Sequence, residues 1–211
     1  MNLELRPEFT IISDWIAPGS RVLDLGCGDG TLLRHLRETR EVTGYGLEID
    51  PANILQCVKN GINVIQTDLD EGLQDFDADS FDYVVMTQTL QAMHYPDRLL
   101  EEMLRIGRQG IVTFPNFGHW RLRYHLALRG HMPMSRALPH SWYNTPNIHL
   151  CTINDFEQLC RERSIRVLDR NLADDRYRDR WTARLWPNLM GAIAIYRFEH
   201  EHSGAKRGNA A

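Results

Sequence analysis

Residues 22–31 read Val22-Leu23-Asp24-Leu25-Gly26-Cys27-Gly28-Asp29-Gly30-Thr31, an apolar strand that runs into a glycine-rich turn and then a helix. Glycines at such a turn permit positive φ and let a ligand approach the backbone closely. Their spacing is G-x-G-x-G, not the G-x-G-x-x-G that seats a diphosphate on a helix N-terminus. Asp24 and Asp29 place negative charge beside the turn. That chemistry suits a ligand carrying an ammonium and a sulfonium better than one carrying phosphates. Asp24 sits within an apolar strand, where a carboxylate is costly unless partnered, so a functional role is the better explanation.

Further acids follow in order. Glu48 stands eighteen residues after Gly30, at the end of a second strand. An acid about 20 residues along a β-α-β unit can accept hydrogen bonds from both ribose hydroxyls. Asp68 follows a third strand and can accept from an exocyclic adenine amine. Gln88 and Thr89 follow a fourth and face the same crevice. Singly, Glu48 also fits a solvated strand end and Asp68 a turn former. Together they lie at carboxyl ends of successive strands, where open α/β sheets bind ligands.

The elements that must hold these residues alternate. Phe9, Ile12, Trp15 and Ile16 give a helical stripe over residues 8–16, ended by Pro18-Gly19. Strands are expected at 21–25, 42–49, 62–66, 81–87 and 110–114. Helices are expected from Thr31 to Glu38, from Pro51 to about Asn60 behind an Asp50 N-cap, and through the stripe Leu99 to Ile106, closed by Gly107. Such alternation implies β-α-β units and a parallel sheet. The pattern breaks at residues 116–150, a long connection of the kind that serves as a lid, a binding loop or a partner surface. Thr152 and Asp155 then have the spacing of a capping box, with Ile153, Phe156, Leu159 and Cys160 as the apolar face behind it. Ile165–Leu168 and Ile193–Phe198 are the last two expected strands. Residues 1–202 are read as one domain and 203–211 as a disordered tail.

The chain has 211 residues and a net charge of −4, which conceals an asymmetry. Residues 1–120 hold 9 basic and 19 acidic side chains, whereas residues 121–184 hold 12 arginines against 7 acids. The acidic part repels nucleic acid. The arginine-rich part meets an anionic ligand, an acidic partner or the acidic half of the same chain. Arg176, Arg178, Arg180 and Arg184 stand among Asp174, Asp175 and Asp179, as on a mixed-charge solvated face or a partner contact. No apolar run is long enough to cross a bilayer, and the opening residues lack the apolar core of a secretory signal. Cys27, Cys57, Cys151 and Cys160 form no C-x-x-C pair and read as reduced thiols, so a cytoplasmic setting is expected. No histidine or cysteine spacing points to a metal.

The stretch from Arg21 to about Gly110 resembles the class I S-adenosylmethionine-dependent methyltransferase superfamily. That resemblance implies a Rossmann-like α/β fold with a seven-stranded, mostly parallel sheet and an antiparallel last strand. It also implies that Asp24, Gly26, Cys27, Gly28 and Gly30 surround the methionine part of S-adenosylmethionine or S-adenosylhomocysteine. Glu48, with Ile49, holds the ribose. Asp68 and Leu69 read the adenine, with Gln88 nearby. Within that superfamily, Phe114-Pro115-Asn116-Phe117-Gly118-His119-Trp120-Arg121, Trp142-Tyr143-Asn144-Thr145-Pro146-Asn147-Ile148-His149-Leu150-Cys151-Thr152, Trp186-Pro187-Asn188-Leu189-Met190 and Met86-Thr87-Gln88-Thr89-Leu90-Gln91 resemble the MetW family of bacterial methionine-biosynthesis proteins. The implied partner is homoserine O-acyltransferase, with no nucleic acid and no membrane.

Whether the chain is an enzyme is open at this level. No N-P-P-Y-type motif follows the fourth strand, and no prolyl-cysteine nucleophile is present. His94, His119, His149 and Tyr143 are the candidate bases, and spacing selects none of them. His94 reads first as a solvated loop residue. His119 and His149 read equally as pocket lining or loop packing. Trp120, Tyr124, Trp142 and Tyr143 are either an interface anchor or a small core under the loop. The expected function is an accessory protein of methionine biosynthesis that binds the adenosyl ligand and supports the acyltransferase. The alternative is a methyltransferase acting on a small molecule.

Overall fold

The strands most apolar in sequence lie at the centre of the sheet. In the computed structural model, which describes residues 6–135, 137–173 and 185–201, β1 (Arg21–Leu25) buries Val22, Leu23 and Leu25 completely. A strand covered on both faces needs such a continuous apolar run. It pairs in parallel with β2 (Thr43–Glu48) on one side and β4 (Phe81–Thr87) on the other. β3 (Val64–Gln66) extends the sheet beyond β2, and β5 (Gly107–Pro115) lies beyond β4. β6 (Ile165–Ala173) and β7 (Ile193–His200) complete seven strands in the order β3-β2-β1-β4-β5-β7-β6. β7 runs antiparallel to both β5 and β6. The expected seven-stranded, mostly parallel sheet with its antiparallel last strand is what forms.

Helices cover both faces. α1 (Pro7–Trp15) and α2 (Thr31–Arg40) press Ile12, Leu33 and Leu36 against Val22, Val85, Ile111 and Ile195. On the opposite face lie α4 (Pro96–Ile106) and α6 (Ile153–Glu162). They pack Leu100, Met103 and Phe156 onto Leu23, Val84, Val112 and Phe114. α3 (Pro51–Lys59) starts on Asp50, whose Oδ1 accepts from Ala52 N at 2.8 Å, as the N-cap reading requires. The chain leaves β1 toward β2 and β3, then returns to the other side of β1 as β4. The carboxyl ends of β1 and β4 therefore flank the switch point where such sheets open a crevice.

Three departures from the sequence expectation exceed two residues. β5 starts at Gly107, not Gly110, because Gly107 pairs with Phe81 as strand. A Cβ there would lie 2.5 Å from Val84 Cγ2, so the glycine that caps α4, as expected, also serves close packing. β6 continues past Leu168 to Ala173, its polar residues held by β7 beyond a bulge at Val167/Asp169. Residues 116–150 contain a helix, α5 (Trp120–Arg129). Its apolar side chains lie on both faces: Leu122 is buried while Trp120, Tyr124 and Leu128 are exposed. In the sequence, Trp120, Leu122, Tyr124, Leu126 and Leu128 fall at every second position, so a helical period does not stand out. The arginine-rich stretch 174–184 and the tail 203–211 fall outside the described residues.

Asn116, fully buried at the end of β5, ties these parts together. Its Nδ2 donates to Gly191 O at 2.7 Å and to Asn188 O at 3.0 Å, joining α7 (Pro187–Met190). Its Oδ1 accepts from Gly118 N at 2.9 Å and from Ile153 N at 3.3 Å, fixing the entries to α5 and α6. Asn116→Ala strands four backbone groups at once. Urea unfolding should show a loss of about 2–4 kcal/mol. An unchanged midpoint and slope would contradict this role.

Candidate functional site

The glycine turn after β1 is strapped to the end of β2. Gly26 N and Cys27 N both donate to Leu47 O, at 2.9 and 3.0 Å. Gly28 N donates to Glu48 Oε2 at 2.8 Å. Glu48 Oε1 in turn accepts from Ile49 N and Asp50 N, both at 3.0 Å. Three amides of the turn are thereby consumed by β2, which leaves no nest of donors for a phosphate. Gly26, Gly28 and Gly30 all have positive φ. A Cβ on Gly26 would come within 2.6 Å of Thr89 Oγ1, whereas one on Gly28 would meet nothing within 4 Å. The first glycine therefore admits Thr89, and the second keeps the turn open toward the cleft. Asp29 closes the turn locally: its Oδ1 accepts from Thr31 N at 3.0 Å and Thr31 Oγ1 at 2.6 Å.

Asp24 is the anomaly. It is 1% exposed, and neither carboxylate oxygen has a hydrogen-bond partner. Burial, then the neighbouring Glu48 carboxylate, push its pKa up to about 7, while Arg6 acts in the opposite sense. Cys27 is pushed up as well, by burial and then by the charge of Asp24. Its Sγ lies 3.7 Å from that of Cys57, which donates to Gly28 O at 3.1 Å. A buried carboxylate with two empty oxygens, next to a second carboxylate and short of donors, fits a cationic or multiply donating ligand. It fits the ammonium, sulfonium and hydroxyls of an adenosyl-methionine group and disfavours phosphates.

A cleft of about 550 Å³ opens over the turn, lined by Gly26, Cys27, Gly28, Asp29, Thr31, Gln88 and, from elsewhere, Arg6, Phe9 and Asn53. Gln88 holds a left-handed φ of 52°, which a non-glycine residue keeps only under constraint. The constraint is visible: Gln88 N donates to Thr113 O at 2.9 Å, and its Nε2 donates to Glu8 Oε1 at 3.3 Å. Glu8 is itself fully buried, and burial raises its pKa.

The sequence-predicted residues divide at this point. Gly26, Cys27, Gly28 and Gln88 line the cleft; Asp24, Gly30 and Glu48 support its floor and turn. Ile49 is 57% exposed at the rim. Asp68 caps the turn Leu69–Glu71, its Oδ1 accepting from Asp70 N at 2.9 Å. Leu69 is mostly buried and borders a separate depression with Asp70, Tyr95 and Arg98. Neither Asp68 nor Leu69 lines the cleft itself. Arg6, Glu8, Phe9 and Asn53 were not anticipated. Only Glu8 left a trace in the sequence, as an acid four residues before Ile12 on an otherwise apolar stripe.

None of the candidate bases lines the cleft. His94 Nδ1 pairs with Asp70 Oδ2 at 2.7 Å on the surface. Although its own desolvation opposes this, the hydrogen bonds from His94 hold the Asp70 carboxyl below its ordinary range. His119 is buried and N-caps α5, His149 borders a different cavity, and Tyr143 is 73% exposed. Among the described residues no group of three or more His, Cys, Asp or Glu is placed to hold a metal. No described helix is long and apolar enough to cross a membrane.

Comparison with known proteins places this geometry. Residues 6–198 match the family described as methionine biosynthesis protein MetW. The bifunctional methionine biosynthesis protein MetXA/MetW of Rhodopirellula baltica is 36% identical over 210 residues, covering 95% of this chain and 34% of that protein. A ubiquinone biosynthesis O-methyltransferase of Erwinia tasmaniensis is 34% identical over 95 residues, covering 40% of this chain and 38% of its own length. The chain thus spans little more than a third of these relatives. The crystal structure of an S-adenosylmethionine-dependent methyltransferase from Mesorhizobium loti superposes with a TM-score of 0.68 at 16% identity, covering 93% of this chain and 99% of that one. At that identity the likeness shows the fold alone.

The raised pKa of Asp24 has a signed consequence. Between the ordinary carboxyl range near pH 4 and about 7, the native state keeps a proton that the unfolded chain has released. Native stability contributed by this group is therefore lost as pH rises through that window. Thermal melts of wild type and Asp24→Asn from pH 4.5 to 7.5 should diverge, with the variant gaining relative stability as pH rises. Parallel curves would contradict the burial of an unpaired carboxylate.

Proposed function

The chain belongs to the MetW family, and from that membership we propose that it is an accessory protein that binds S-adenosylmethionine or S-adenosylhomocysteine and supports homoserine O-acyltransferase. The link to methionine biosynthesis and the methyltransferase fold are already given by the family and the structural likeness. The observation that carries the ligand is Asp24, buried without a partner beside the glycine turn. In this reading its carboxylate faces the ligand's ammonium, and Glu48, poised on Gly28 N, takes the ribose hydroxyls with its remaining lone pairs. Asp68 and the Leu69 backbone meet the adenine at the outer end. When bound, S-adenosylmethionine supplies an electrophilic methyl group. Transfer to an O–H or N–H acceptor also needs that proton taken, and the four candidate bases all lie away from the cleft. This favours the accessory reading over methyl transfer to a small molecule.

The partner is supported by the Rhodopirellula baltica relative, whose name joins a MetXA part to a MetW part in one chain. We take the MetXA part to be the acyltransferase. The surface of this chain supplies a face suited to it. Trp120, Tyr124 and Leu128 recur four residues apart along α5 and are 41%, 62% and 66% exposed. Trp142 and Tyr143, in edge contact with each other, are exposed as well. No acid occurs between Glu102 and Asp155, while Arg121, Arg123 and Arg129 lie on α5. Aromatic side chains with arginines and without acids are the composition of an interface core.

Purified acyltransferase should co-elute with this chain and turn over faster in its presence. Added S-adenosylhomocysteine should change that rate. The double variant Trp120→Ala/Tyr124→Ala should weaken association at least about tenfold. Separate elution of the two proteins, with no change in acyl-transfer rate, would defeat the proposal.

A further inference from the structure

A second cavity opens on the other side of the turn that follows β4. It holds about 270 Å³ and is lined by Leu90, Phe114, Phe156 and Leu159, with Gln91 among them and His149 and Leu150 at its mouth. Phe114 and Phe156 form a dry floor, 0% and 1% exposed, their ring centres 5.0 Å apart. The volume lies just below the ~300 Å³ at which drug-sized sites begin. Its occupant is therefore compact.

Gln91 gives the cavity its chemistry. It is 7% exposed, and its two side-chain polar atoms differ: one is engaged and one is not. Its backbone carbonyl accepts from Ile148 N at 2.8 Å and His149 N at 3.0 Å, which holds the mouth in place. Its Nε2 donates to Gln88 O at 2.7 Å, which fixes the orientation of the amide. Its Oε1 has no partner. A buried acceptor left dry is costly, and native structures seldom carry one without reason.

Several other polar atoms around the cavity are already used. Asp155 Oδ2 accepts from Thr152 N and Oγ1 in the capping box, at 3.1 and 2.7 Å. Cys151 Sγ donates to Thr152 O at 3.2 Å. His149 Nε2 lies 3.4 Å from His94 O. No lysine or arginine lines the cavity, so a carboxylate or phosphate finds no counter-charge. The arrangement selects a neutral molecule with an apolar body and a single donor.

We infer that this chain carries a second small-molecule site, bounded by β5, α6 and Gln91, for a compact apolar ligand that donates one O–H or N–H to Gln91 Oε1. One hydrogen bond ties the site to the adenosyl cleft, since Gln91 Nε2 donates to the carbonyl of Gln88, which lines that cleft. It stands on its own residues and does not require the adenosyl reading.

The test uses the full chain without any adenosyl ligand, titrated with p-cresol and with toluene and followed by saturation-transfer NMR and calorimetry. Wild type should bind p-cresol saturably at millimolar concentration and more tightly than toluene. Gln91→Leu should weaken p-cresol roughly fivefold and spare toluene. Leu159→Trp, which fills the cavity from its less buried wall, should abolish both. The inference is overturned if neither probe saturates wild type, or if Gln91→Leu keeps the wild-type preference. Should Gln91→Leu fail to fold, undiminished p-cresol binding by folded Leu159→Trp overturns it equally.

Discussion

Asp24 places a carboxylate in the middle of a sheet where every neighbour in its strand is apolar and buried. Its register partners are Gly46 on β2 and Val85 on β4, neither of which offers a side-chain donor. The surrounding structure offers this carboxylate no partner, and burial raises its pKa to about 7. Glu48, one strand away, adds repulsion, yet it is itself pinned by three backbone amides. The glycine turn bends over both acids because its own amides are held by Leu47 and Glu48. α1 then closes the side of the cleft with Arg6 and Phe9, and it buries Glu8 against Gln88. The site is thus a set of acids held apart by the backbone, with its unmet demand for donors facing one cleft.

Much of this was legible in the residues. β1, its glycine turn and Glu48 carry period, spacing and charge within one continuous stretch, so local rules were sufficient there. The antiparallel last strand followed from the family resemblance, and the pairing of β5 with β7 agrees with it. What stayed hidden depends on contacts between distant parts of the chain. Arg6 and Asn53 reach the cleft only through the packing of α1 and α3, which no spacing announces. α5 was hidden because its large apolar residues fall at every second position from Trp120 to Leu128, a period that does not single out a helix. Gly107 is the helix stop its position suggested, and its close approach to Val84 of β4 is what the sequence did not announce. Asp68 shows the converse: its sequence position suggests base recognition, while its side chain also caps a turn.

The two cavities meet at one short turn. Gln88 keeps a strained backbone because Thr113, Glu8 and Gln91 all hold it. A fold shared with methyltransferases does not fix the chemistry performed on it. The distinction between accessory and enzyme rests on what surrounds the cleft. Here Glu48 holds the glycine turn of the cleft with Asp24 buried nearby in β1, while Trp120 and Tyr124 stand exposed along α5.

Calorimetry of S-adenosylhomocysteine binding in two buffers of different ionisation enthalpy, near pH 7, measures the central point directly. A cation docking on Asp24 must expel the proton that burial retains. Wild type should therefore release roughly half a proton or more per ligand, and Asp24→Asn should release none. Equal affinity in both proteins with no dependence on buffer would contradict the account.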